Sequence, residues 1–150
     1  MKKVYTIFIF ICLNVLSAER LFATHAAGGE LIYALVPNTT NQYQFTFKFY
    51  RDCSGVAEPS TFTMCYNNTC GVTNQSVTLS KIIGNLPNGQ PNGSPIVQVG
   101  CYNQATICQG GVVAGYREWW YTGTVTLNST CNFWRFWVSL CCRNNAIGNV

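Results

Sequence analysis

Among the reactive side chains of this sequence, thiols stand out. Nine cysteines occur in 150 residues, and one of them, Cys12, lies in an apolar leader. The remaining eight are Cys53, Cys65, Cys70, Cys101, Cys108, Cys131, Cys141 and Cys142. An even number in an exported chain reads as a disulfide framework. The competing chemistry is a thiolate zinc site, which needs C-x-x-C pairs or histidine partners. No such pair occurs, and His25 is the single histidine. Cysteines held as disulfides are also unable to act as thiolate nucleophiles.

Other reactive types are scarce. Without the leader the acids are Glu30, Asp52, Glu58 and Glu118. Two of them could in principle form the acid/base pair of a glycosidase. The stretch "RDC" reads more simply as a strand end, with Asp52 capping a turn or pairing with Arg51 or Arg143. Gly28-Gly29 precedes a strand and so is no phosphate loop, and no Gly-x-Ser-x-Gly elbow appears. Aromatics are plentiful: Trp119, Trp120, Tyr121, Trp134 and Trp137 cannot all face one core, because neighbours in a strand alternate. Trp119 and Trp120 are therefore candidate contacts for a sugar or a partner protein, unless loops cover them. No cofactor is implied, and the expectation is a protein that is not an enzyme.

The elements that hold these residues have period two. In "QYQFTFKFYRDC" Tyr43, Phe45, Phe47 and Phe49 alternate with polar residues. "ELIYALV", "QSVTL", "EWWYTGTVTLN" and "FWRFWVSLCC" read as further strands, and "FTMCYNNTC" as a hairpin turning at Asn67-Asn68. Residues 84–100 are loop-forming, rich in Gly, Pro and Asn. The sum is an all-β, antiparallel β-sandwich of Ig-like type, braced by disulfides.

Strand parity then proposes bridges. Stepping by twos, Phe45 shares a face with Cys53, and Trp134 shares one with Cys142, while Cys141 points the other way. If both faces line the core, Cys53 bonds Cys142. Cys65 and Cys70 flank four residues and suit a bond across their hairpin. Cys131 and Cys141, at opposite ends of one presumed strand roughly 33 Å long, cannot meet. Each is expected to reach Cys101 or Cys108, with the choice open. Asp52 and Arg143 are expected to form an ion pair beside the Cys53–Cys142 bridge.

The start of the chain points to export. Lys2 and Lys3 precede an apolar run from Val4 to Leu16, followed by small residues, which is the layout of a secretory signal. Residues 1–23 are taken as the signal, with cleavage after Ala23 or after Ala18, and residues 24–150 as one domain. Loss of Lys2, Lys3, Arg20 and Glu19 leaves six basic and four acidic residues, so the net charge drops from +4 to +2. That is too weak and scattered for a nucleic-acid surface, and no membrane insertion is expected once the signal is removed.

The segments "HAAGGELIYAL", "YQFTFKFYRDC" and "LCCRNNAIGN" together resemble an N-terminal module of large secreted Bacteroidota surface proteins. These are the gliding-motility-associated proteins exported by type IX secretion. The resemblance rests on His25, Gly28, Gly29, Glu30, Tyr33, Tyr50, Arg51, Asp52, Cys53, Cys141, Cys142, Arg143 and Asn144. It implies a non-catalytic, cell-surface, adhesin-like or structural module with further domains C-terminal to it in the same chain. A surface protein or a glycan is the partner expected. Cys65, Cys70 and Cys131 look like additions to the commoner cysteine set. The rival expectation is a carbohydrate-binding, lectin-like module or a weak glycosidase. A secreted Cys-rich inhibitor or toxin suits the cysteine count but not so large a β-patterned domain.

Overall fold

The computed structural model describes residues 26–96 and 104–140. Six strands follow one another: β1 Ala26–Leu35, β2 Gln42–Asp52, β3 Thr61–Asn68, β4 Gln75–Lys81, β5 Tyr116–Thr126 and β6 Trp134–Val138. One 3-10 turn, Ile107–Gln109, lies between β4 and β5. All pairings between strands are antiparallel, in the order β1-β2-β5-β4-β3-β6. In chain order β1-β2-β5 match the A-B-E run and β3-β6 the C-F run of an Ig-type Greek key, with β4 joining the two.

The sheet folds over at β4. β2 and β5 pair along their whole length, from Gln42↔Thr126 to Asp52↔Tyr116. β4 joins β5 only at Ser80↔Thr122 and Lys81↔Tyr121. Gly123 permits this crossing, because a Cβ there would come within 2.8 Å of Leu79 Cδ2 and 2.9 Å of the Thr78 carbonyl. The layers β1-β2-β5 and β4-β3-β6 thus face each other across an aromatic core.

Period-two patterning filled that core as expected. Phe45, Phe47 and Phe49 are 1, 4 and 2 % exposed, and Met64, Leu79 and Tyr121 are fully buried. Burying each large apolar side chain contributes about 2–3 kcal/mol. Phe62 of β3 is the bridge between layers: its ring lies 5.0 Å from Phe47, 5.1 Å from Phe49 and 4.7 Å from Tyr121. Phe136 of β6 meets Phe45 at 4.5 Å. On β6 the packed residues are Trp134, Phe136 and Val138, the face that parity selected.

The disulfides differ from the parity argument. Cys53 bonds Cys108, with Cα atoms 5.3 Å apart, and not Cys142. Parity gave a face but not a neighbour. The neighbour of β2 at this end is β5, where Cys53 N–H donates to the Gly115 carbonyl, so the loop entering β5 carries Cys108 within reach. Cys70 bonds Cys131 at 5.9 Å, not Cys65, and Cys131 therefore does not reach Cys101 or Cys108. The hairpin turns later than the sequence indicated. β3 continues through Asn67 and Asn68, and the turn is made at Thr69–Asn74, where Gly71 and Asn74 take positive φ. Cys65 is left in mid-strand opposite Ser76 and Trp137, as a free thiol. Cys131 precedes β6, at the same end of the layer as the turn that carries Cys70. Cys101, Cys141, Cys142 and Arg143 lie outside the described residues, as do His25 and the signal segment.

Candidate binding clefts at one end of the sandwich

Two of the resemblance's three clusters meet on the outer face of β1-β2-β5. Glu30 on β1 is bonded to Lys48 on β2 at 3.3 Å, and Tyr50 lies opposite Gly28. Lys48 sits 5.0 Å above the Trp120 ring, whose Nε1–H donates to Glu118. Burial, with the nearby charges of Glu118 and Glu30, pushes the Tyr50 phenol up to about 12. This is a ladder of cross-strand pairs, in which each polar group is used by its neighbour.

Asp52 behaves as the turn cap that "RDC" allowed. Its Oδ1 accepts from Ser54 N–H at 2.9 Å and from Ser54 Oγ at 2.7 Å. The expected pair with Arg143 lies outside the described residues. Arg51 turns into the following loop, donating to the carbonyls of Val56 and Gly55. Beside it Glu58 links Arg51 at 3.8 Å to Lys81 at 2.9 Å.

The tryptophans singled out as ligand contacts are engaged by their own chain. The loop ahead of β5 is laced to that strand by Asn92. Its Oδ1 accepts from Trp120 N–H at 2.8 Å, and its Nδ2 donates to the carbonyls of Ile82 and Trp120. Gly93, at φ 87°, brings the loop backbone against the Trp119 ring, where any Cβ would lie 2.3 Å from a ring carbon. Lys81 rests 4.9 Å from the centroid of the same ring. Trp119 Nε1 is buried without a hydrogen-bond partner.

A different set of aromatics borders open space. A cleft of about 530 Å³ lies where the β3–β4 turn meets the start of β6, lined by Asn67, Asn68, Asn74, Phe133, Trp134 and Arg135 among others. A second, of about 350 Å³, lies on the other side of Trp134, against Asn41, Tyr43 and Asn128. Register explains the first: Asn67 faces Arg135 and Asn68 faces Trp134 across the β3–β6 ladder. Asn68 Oδ1 builds the turn by accepting from Cys70 N–H at 3.0 Å and Val72 N–H at 2.9 Å. The Cys70–Cys131 bridge then bolts that turn to the segment leading into Phe133.

Sequence reasoning passed over these residues, although a signal was present. "NNTC" at 67–70 and "NSTC" at 128–131 are near-copies of one tetrapeptide, and their cysteines are bonded to each other. Among the described residues no three His, Cys, Asp or Glu side chains converge as a metal site would require, and no helix is long and apolar enough to cross a membrane. No family model, no curated protein and no solved structure matches the chain.

Proposed function

We propose that this chain is a non-catalytic extracellular module of a secreted bacterial surface protein, structural or adhesin-like in role. The type is that of the gliding-motility-associated, type IX-exported proteins of Bacteroidota that it resembles. The observation that carries this reading is the placement of the two bridges. One ties the end of β2 to the loop entering β5, and the other ties the β3–β4 turn to the entry of β6. Disulfides of this kind belong to chains that fold in an oxidising compartment. They stiffen the ends of a sandwich, where loops meet the surroundings. The carboxylates serve the same end: Glu30 and Glu58 neutralise lysine and arginine side chains that hold strands and loops in register.

Immunolabelling of intact Bacteroidota cells producing the full chain tests the reading. Label on unpermeabilised cells or protein in the medium is the expected result, sensitive to added protease. Label that appears only after permeabilisation would refute it.

A further inference from the structure

We infer that the cleft between the β3–β4 turn and the start of β6 binds a glycan carrying an anionic group. This inference rests on the extracellular interaction role proposed above and gives it a site and a ligand class.

Three features of the cleft converge on that chemistry. The first is an aromatic surface: Phe133 is 72 % exposed, although it immediately precedes a strand whose next ring, Trp134, packs on Tyr66 and Phe136. An exposed ring fixed beside a packed one is a platform for the apolar face of a sugar. The second is planar amides. Asn67 and Asn74 line the same space, and each amide can donate and accept, as adjacent sugar hydroxyls do. The third is charge. Arg135 is exposed on the cleft wall and forms no ion pair among the described residues, so its planar fork is available to a carboxylate or sulfate.

The scaffold suits recognition. The walls come from paired strands, Asn67↔Arg135 and Asn68↔Trp134. The Cys70–Cys131 bridge fixes the two loops that continue them. Little ordering remains to oppose binding, so modest contacts can give measurable affinity. The smaller cleft shares Trp134 with this one.

The full chain, secreted with its own leader so that its bridges form, is titrated with three hexasaccharides. These are oligogalacturonate, a heparin fragment and cellohexaose, followed by calorimetry and tryptophan fluorescence. Binding of at least one anionic hexamer, about tenfold or more tighter than cellohexaose, is expected. Which one binds tells whether the anion is carboxylate or sulfate. Phe133→Ala should weaken that binding about tenfold. Arg135→Gln should abolish the preference over cellohexaose and its salt dependence. Both side chains are exposed, so an unchanged melting temperature verifies the fold. No saturable binding by the folded chain, equal affinity for cellohexaose, or indifference to both substitutions would overturn the inference. A chain found on the cell surface that binds none of the three refutes this site alone. One that binds but stays inside the cell refutes the surface reading alone.

Discussion

Replacing both cysteines of either bridge with serine should destabilise the fold by a calculable amount. The bridges close loops with sequence separations of 55 and 61. The chain-entropy relation gives about 4 kcal/mol for each. The loops interlock, since Cys70 lies inside the first and Cys108 inside the second. With one bridge intact, the other closes a shorter effective loop, which lowers its contribution by only a few tenths of a kcal/mol, roughly. For a domain of this size, about 4 kcal/mol corresponds to a fall in Tm of roughly 12–20 °C. Calorimetry on Cys53→Ser/Cys108→Ser and on Cys70→Ser/Cys131→Ser measures it. A peptide map without reduction checks the pairing that underlies the number. Trypsin should leave the 52–81 peptide joined to both 82–117 and 118–135, and further cleavage after Phe62 should separate the two bonds. A Cys65–Cys70 or Cys53–Cys142 peptide would refute the pairing. Double variants melting within a few degrees of the parent would refute the entropic reasoning.

Three further outcomes are expected. Phe62→Ala should cost about 3 kcal/mol by opening a cavity between the layers, seen as a lower urea midpoint with an unchanged m-value. Glu58→Gln removes the negative charge shared by Arg51 and Lys81, side chains that are largely buried, and replaces one of the two oxygens they use with a donor; a loss of about 1–3 kcal/mol in urea unfolding should follow. Tyr50 titrates higher in the fold, at about 12, than its ordinary value of 10. Burial of its neutral form therefore stabilises the fold fully below pH 10, and that stability is lost as pH rises from 10 through 12. Ultraviolet titration of the phenols, run beside circular dichroism, should show a smaller loss over that range in Tyr50→Phe.

The sequence by itself determined which residues face inward. Alternation along "YQFTFKF" and "WRFWV" is a property of extended backbone, so Phe45, Phe47, Phe49, Trp134 and Phe136 could be assigned to a core without knowing what they meet. It also determined, through cysteine number, that the chain would be cross-linked. What only the tertiary structure decided was who stands next to whom. Parity has a period of two and says nothing of which strand is adjacent, so it could not see that β5 lies beside β2 and carries Cys108 to Cys53. The position of the β3–β4 turn was likewise settled by pairing. Extending β3 to Asn68 gains ladder bonds to β6, and the reversal falls on Gly71 and Asn74, which tolerate positive φ. That shift freed Cys65, bonded the Asn-Asn-Thr-Cys segment to Asn-Ser-Thr-Cys, and opened the cleft between the turn and the start of β6. A ligand site built from the ends of strands distant in sequence depends on register, and register is a property of the assembled sheet.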